Sequence, residues 1–393
     1  MKYILFICLS LCLSSVSAQQ NRGTAIPVIE ANRDLPKNDL SLSDFCSDIS
    51  YTKLEFDNKY PVARISGLYV TDKYIFFNSR SSILRYTRDG KKVQMIGSLG
   101  QGPGEYLDGS SLVFDEKNNK IYIRANYTNN ILIYDPDQNK YLSSFKIQET
   151  EGQFLMASEG VLLQAGSTRH RYSSKYYSWR LHDTKGKVVS EKRNPSFIVQ
   201  KSDHRWKNEI APTAYQWKDS NHSFCSIHER GSDTIFTISN KFQVIPRFVI
   251  KTSSYTQGEN DITILSESPR YIFWRLDREA QKIAYSGVYD KKQKKSFIYA
   301  QNMYSDFSDE KKKKALGIKN DLDGGLPVRA IATRSSSSHW HFFVEPYDLI
   351  EYVNSSAFKN AVVKNPRKKE ELQRFVNTLE EDDNPVLVTL TLK

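Results

Sequence analysis

Five side chains offer the chemistry a ligand would meet first: Arg64, Tyr106, Asp108, Tyr215 and Arg329. A guanidinium forks onto a carboxylate or sulfate through two parallel hydrogen bonds, and a phenol ring lies against the face of a pyranose. Together they describe a cationic, aromatic pocket for an anionic sugar. The same residue types also serve as salt bridges and packing between sheets, so their value as a site depends on where the fold puts them. They become catalytic if Arg64 or Arg329 neutralises a uronate while a Tyr or His abstracts its proton, which is lyase chemistry. Two carboxylates about 5 to 9 Å apart would make a hydrolase instead.

Other constellations are weaker. His339 and His341 flank Trp340 on one strand face, within reach of one metal ion but without added acidic ligands, so no metal is assigned. Asp321 and Asp323 form an acidic turn that lacks the distal Glu of a calcium loop and reads as a capped turn. The glycine-rich run from Gly97 to Gly104 has neither the Lys-Ser/Thr pair nor the following helix of a phosphate loop. Glu105 is expected to accept hydrogen bonds from turn amides there. Neither a Gly-x-Ser-x-Gly elbow nor a His-Glu-x-x-His helix occurs, and no cofactor is called for.

The elements that must position these residues are short strands. Aromatics make up 12% of the chain, with 23 Tyr and 20 Phe, which suits half-buried strands better than helices. Strand groups fall at 62–97, 109–147, 153–191, 211–250, 262–303 and 327–391, a period in the range of propeller blades. In the third group, Gln164 to Lys175 is polar and basic and is expected to form a long loop. Helical spacing appears at Pro346 to Ala357 and Pro366 to Leu379, with Leu372, Phe375, Val376 and Leu379 on one face. The expected fold is all-β: a six-bladed β-propeller with a small helical insertion in the last blade. An open ring would expose a sheet face and a strand edge, so Ile49 to Phe56 is expected to join the last sheet as its outer member.

The joint Gly100-Gln101-Gly102-Pro103-Gly104-Glu105-Tyr106 resembles that of NHL-type propeller repeats, and more closely that of a secreted six-bladed propeller family of Bacteroidota. Gly231 to Phe236, Asn320 to Pro327 and Asp383 to Leu387 are similar to further stretches of that family. Val328-Arg329 departs from the aromatic pair usual after Leu-Pro, and the lipobox cysteine of many relatives is missing. The resemblance implies the fold and an envelope setting, and carries no ligand with it.

Residues 1–18 read as a signal peptide, 19–48 as an N-terminal arm and 49–393 as the propeller, with the helical insertion at about 346–380. Val16-Ser17-Ala18 supplies the small-x-small cleavage pattern, and neither Cys8 nor Cys12 follows a small residue, which favours export over lipid anchoring. Periplasmic and extracellular destinations both fit, and no later run is long enough for a membrane helix. Of the cysteines, Cys46 and Cys225 would remain after cleavage; no close framework favours their pairing. The formal charge of +11 lies largely in lysine-rich loops such as 291–295 and 311–314 and favours anionic neighbours. Nucleic acid is disfavoured by the export signal. The expected function is an exported, non-enzymatic propeller that binds a glycan or protein partner in the bacterial envelope; a polysaccharide lyase or glycoside hydrolase working at the central channel and a scaffold protein are the alternatives.

Overall fold

A strand buried on both faces reads as alternating or continuous apolar sequence, and such strands here assemble into small sheets set around a ring. The computed structural model describes residues 26–393 apart from 126, 148–152, 159, 166–176, 194–212, 219–222, 229–231, 240, 253–259, 279–280, 304, 306–316 and 329–337. The expected signal peptide and Arg329 lie outside the described residues.

Blade 1 comprises Ile65–Val70, Tyr74–Ser79, Ser82–Thr87 and Val93–Met95, and blade 2 comprises Gly109–Asp115, Lys120–Ala125, Asn130–Asp135 and Lys140–Lys146. Blades 3, 4 and 5 repeat the antiparallel meander from Gln153–Ser158, Thr213–Lys218 and Asn260–Glu267 respectively. The first strands of blades 1 to 5 pack successively on one another and so line the axis. They all begin at one end of the ring, termed the entry face, and finish at the other, the exit face.

Blade 6 closes the circle. Val386–Leu392 pairs on one side with His339–Val344 and on the other with Cys46–Thr52, both antiparallel. The N-terminal strand is thus the outer member of the last sheet, as the closure argument requires, although it starts at Cys46 rather than Ile49. Side-chain packing agrees: one buried apolar cluster fills each of the six seams. Between blades 5 and 6, for example, Phe45 and Phe273 meet Trp340 at ring centroids 5.2 and 4.9 Å away. Leu54, Phe77 and Tyr86 of the first seam meet Leu387 and Phe343.

Ahead of the latch strand, the arm straps the outside of the ring. Val28–Glu30 adds to the outer strand of blade 4 in parallel, Pro36 and Asn38 exchange backbone hydrogen bonds with Ile298 of blade 5, and the Leu42 N–H donates to the Lys319 carbonyl. Asp321 ties this strap down, accepting from the Ser43 N–H at 2.9 Å and the Ser43 hydroxyl at 2.6 Å. Asp323, 1% exposed, accepts from the Tyr51 hydroxyl at 2.9 Å, the Asn320 amide at 2.7 Å and the Gly325 N–H at 2.9 Å. The acidic turn is therefore a fastening for the latch strand. Burial nevertheless pushes the Asp323 carboxyl upward.

Three features differ from the sequence reading or sharpen it. Val161–Ala165 is a fully buried strand, so Gln164 belongs to the sheet; the remainder of the expected loop lies outside the described residues. Helices span Pro346–Asn354, Ser356–Lys359 and Pro366–Val376, where Leu372 and Val376 are buried with Phe375 and Leu379 packed beside them. Cys46 and Cys225 are buried, free thiols in different blades. Among the described residues, no helix is long and apolar enough to cross a membrane.

Removing residues 46–58 should abolish cooperative thermal unfolding of the ring. Tyr51→Phe, which strips one donor from buried Asp323, should cost about 1 to 3 kcal/mol in urea denaturation; a change within error would show that the fastening is not needed.

Candidate functional site

The entry face of blades 1 and 2 is built by short-range hydrogen bonds. Ser79, buried at the end of the second strand of blade 1, accepts from the Ala63 N–H at 2.9 Å and donates to the Pro61 carbonyl at 3.0 Å, which fixes the chain entering the inner strand. The Arg80 N–H donates to the Ala63 carbonyl at 3.0 Å. Arg64 and Arg80 are thereby set side by side, one before the inner strand and the other in the two-residue turn after Ser79. Both hold left-handed backbone, with φ of 51° and 52°. That conformation is uncommon for an L-residue other than Gly, Asn or Asp, and at Arg80 it is what the two-residue hairpin turn requires. Both side chains are exposed, and neither makes a hydrogen bond or ion pair among the described residues.

Blade 2 is stitched to the same corner. The Gly109 N–H donates to the Ser81 carbonyl at 2.9 Å, and the Asn78 amide donates to the Gly109 carbonyl at 2.6 Å. Asp108, half-buried, therefore sits beside the arginine turn. One blade on, in the corresponding turn of blade 2, Tyr127 is 83% exposed with φ of 71°. The entry face thus carries two guanidinium groups with no partner among the described residues, a carboxylate and an aromatic ring.

The other expected site residues are placed differently. Tyr106 is 1% exposed; its hydroxyl donates to the Ile96 carbonyl at 2.6 Å and accepts from the Ile83 N–H at 3.2 Å. Its ring fills the seam between blades 1 and 2, so it positions the joint and offers no face to a ligand. Around it, Gly97 and Gly104 take φ of 70° and 78°, and a Cβ on either would lie 2.5 to 2.6 Å from a tyrosine of blade 2. Glu105 accepts from the Gly102 N–H at 2.8 Å, as its expected role in the turn requires. Tyr215 is likewise buried, with its hydroxyl 3.5 Å from Glu267 and its pKa pushed up by burial. It belongs to a seam network in which Arg247 grips Glu267 at 2.5 and 2.6 Å while Lys291 also donates to it.

Arg80 and Tyr127 were not singled out from sequence. The turn Ser79-Arg80-Ser81-Ser82 carries no Gly or Asn to announce a left-handed residue, so only the count between the two strands could have marked it. Tyr127 sits among Asn and Thr, and the signal available was an aromatic residue inside a turn.

His339 and His341 share one strand face, rings stacked 5.8 Å apart at 17°. His341 is 8% exposed and lies 3.0 Å from the Thr389 hydroxyl through Nδ1. Burial, then the charge of Arg88, holds its pKa down at about 3, and the same causes lower that of His339. Among the described residues, no three His, Cys, Asp or Glu side chains gather to hold a metal.

Six seams, six sheets and an N-terminal latch define a six-bladed β-propeller. Within that class, the chain belongs to the family described as a domain of unknown function, DUF4934, whose model matches residues 24–391. Among solved structures it is similar to a putative exported protein from Bacteroides fragilis, at 16% identity and a TM-score of 0.62, covering 93% of this chain and 99% of that one. It is also similar to a member of the DUF4221 family from Bacteroides vulgatus, at 9% identity and a TM-score of 0.44, over 88% of this chain and 97% of that one. No curated protein matches the chain.

The fold keeps His341 neutral down to about pH 3, whereas in the unfolded chain it takes up a proton near its ordinary pKa of 6.5, so unfolding binds a proton between these limits. Its contribution leaves stability unchanged above 6.5 and lowers it as pH falls, by about 2 kcal/mol at pH 5. His341→Gln should flatten the pH dependence of urea midpoints across that window; an unchanged slope would refute the assignment.

Proposed function

We propose that this chain is an exported, non-enzymatic propeller of a bacterial envelope, and that it binds an anionic glycan or an acidic protein segment at the entry face of blades 1 and 2. The observation that carries the reading is the pair Arg64 and Arg80, both exposed, without a partner among the described residues, and held in left-handed backbone by hydrogen bonds of the ring itself. Fixing two guanidinium groups in advance lowers the ordering cost that a carboxylate- or sulfate-bearing partner would otherwise meet. Tyr127 supplies a stacking surface on the same face, and a net charge of +11 draws anions toward it.

Export rests on the apolar leader with its Val16-Ser17-Ala18 cleavage pattern, and the similar Bacteroides fragilis protein is described as putatively exported. The glycine-rich joint supports kinship with NHL-like repeats of Bacteroidota propellers. Arg329, which the sequence groups with Arg64 and Asp108, lies outside the described residues. Lyase or hydrolase action remains the alternative, and polymer breakdown separates it from binding.

Glycan-array screening of the mature protein, with envelope-extract pull-down alongside, should yield an anionic partner. The double variant Arg64→Ala/Arg80→Ala should bind it at least tenfold more weakly and with a shallower salt dependence, while Tyr127→Ala should lose several-fold. Equal binding by the double variant would overturn the site, and shortening of the polymer would overturn the non-enzymatic reading.

A further inference from the structure

The segment that joins the helices Ser356–Lys359 and Pro366–Val376 lies on the outside of blade 6. Lys368 Nζ donates to the Ile49 carbonyl at 3.2 Å and pairs with Asp48 at 2.9 Å, and the Phe375 ring stacks 5.8 Å from that of Tyr51, so the second helix runs against the latch strand. The joining segment is tied to the acidic turn. The Lys364 N–H donates to the Asp321 carbonyl at 2.7 Å and the Asn365 N–H to the Leu322 carbonyl at 3.2 Å. From the second helix, Lys369 Nζ donates to the carbonyls of Lys359 at 3.1 Å and Ala361 at 2.9 Å, with its charge 5.0 Å from the centre of the Phe358 ring.

Between these ties one aliphatic side chain is turned outward. Ala361 and Val363 pack against Gly324, where an added Cβ would lie 3.1 Å from Ala361 Cβ and 2.9 Å from Val363 Cγ1. Val362, between them, is 85% exposed, whereas the other exposed aliphatic side chains among the described residues reach 50% at most, at Leu99. A bare side chain on a loose end would mean little. Here the backbone on both sides of Val362 is fixed, so the fold presents the side chain in one place.

Charge is the second observation. From Ser355 to Lys369 the chain carries five basic residues and no acidic one. Lys368 is engaged by Asp48 and Glu371, and Lys369 by the two carbonyls; Lys359, Lys364 and Arg367 are exposed, Arg367 reaching Glu371 through a side chain that is 84% open to water. A single exposed apolar residue needs no explanation. One held on a fixed tip among cations combines the two components of adsorption to an anionic bilayer, which are apolar area for the acyl boundary and positive charge for the lipid phosphates. A protein partner is a poorer match, because a stable interface has a desolvated core rich in aromatic side chains within about 800 Å² on each side. One valine ringed by flexible lysines offers no such core, and a fluid headgroup layer conforms to it.

We propose that Lys359–Arg367, at the outer rim of blade 6, is a contact point for an anionic lipid surface. Val362 enters the headgroup layer, and Lys359, Lys364 and Arg367 lie over lipid phosphates. The contact is reversible and salt-sensitive, since one valine and three cations fall well short of a lipid anchor. Arg64 and Arg80 belong to blade 1 and take no part in it, so the two proposals stand or fall separately.

The test is co-sedimentation of the mature protein, at low ionic strength, with vesicles of phosphatidylglycerol and phosphatidylcholine in equal parts or of phosphatidylcholine alone. Binding is expected to the first and not to the second. Val362→Asp should lower the partition coefficient about fivefold and Val362→Trp should raise it about threefold, with indole emission shifted to the blue by more than in the wild type. Lys359→Glu/Lys364→Glu should lower it about tenfold, and Lys292→Glu/Lys294→Glu, the same change of net charge in another loop, should lower it less. All these positions are exposed, and an unchanged Tm shows that each variant has kept its fold. Absence of binding to the anionic vesicles, wild-type binding by Val362→Asp, or equal losses in the two double variants would each overturn the site. Capture of an envelope protein that Val362→Asp fails to capture, without vesicle binding, would overturn the lipid reading in favour of a protein partner.

Discussion

Everything in this molecule depends on the pairing of Cys46–Thr52 with Val386–Leu392, because a ring of sheets has no stability as an open arc. Without it, Val386–Leu392, buried along nearly its whole length, would present a bare hydrogen-bonding edge and two apolar faces to water. Closure therefore joins the two ends of the chain, and the apolar clusters on either side of the last blade form only when it does. The surrounding fastenings serve the same pairing. Lys53 bonds Asp383 at 2.5 Å, the Asn384 amide donates to the Glu55 carbonyl at 3.0 Å, and Tyr51 seals Asp323. The strap along blades 4, 5 and 6 brings the latch strand to its place over the outside of the ring, so edges and closure are managed by one segment.

Within the ring, charge is handled in a consistent manner. Apolar clusters occupy the seams, and Glu267 enters one held between two opposite charges, Arg247 and Lys291. A pair of that kind contributes little net stability against an apolar alternative, but breaking it is costly because the survivor is left buried and unpaired. Such clusters therefore fix which blade sits beside which. Against this background two guanidinium groups stand apart. Arg64 and Arg80 are in water and cost little there, and their oddity is conformational.

The architecture was largely legible in the sequence because the physical demand on each strand is strong. Both faces of a blade are buried, so strands such as Tyr74–Ser79 and Asn130–Asp135 declare themselves by composition, and the closure argument follows from topology alone. Val161–Ala165 was harder, since Gln164 is polar yet 0% exposed, its side chain 3.0 Å from His182. A buried amide satisfied by a buried imidazole leaves no trace in a hydrophobic pattern. The third-to-fourth strand turns held a signal that is clear only in hindsight: Asp135, Asp183 and Asp290 each end a strand and accept from backbone N–H groups two to four residues on. The site was less legible. Tyr106 and Tyr215 carry a ring and a hydroxyl, which suit a sugar and a seam equally well, and only burial separates the two uses. Arg80 was hidden in a turn whose left-handed residue is not one of the types that usually adopt it.

The electrostatics also bear on what kind of work this scaffold suits. A general acid or base at neutral pH needs a group whose pKa lies near 7 and whose proton can reach a substrate. Among the described residues, several groups moved by their surroundings are moved the other way or sealed, whereas exposed Glu345 is raised by partial burial and then by the charge of Asp348. His341 and His182 are pushed down by burial, which keeps them neutral and weakly basic. Asp323 is pushed up, toward the useful range, but its oxygens are taken by Tyr51, Asn320 and Gly325 beneath the latch strand. Asp290 is drawn down despite burial because Arg270 and two backbone N–H groups hold its charged form. Exposed cations held in fixed backbone, such as Arg64 and Arg80, suit the binding of an anion in one orientation, which is the reading proposed above.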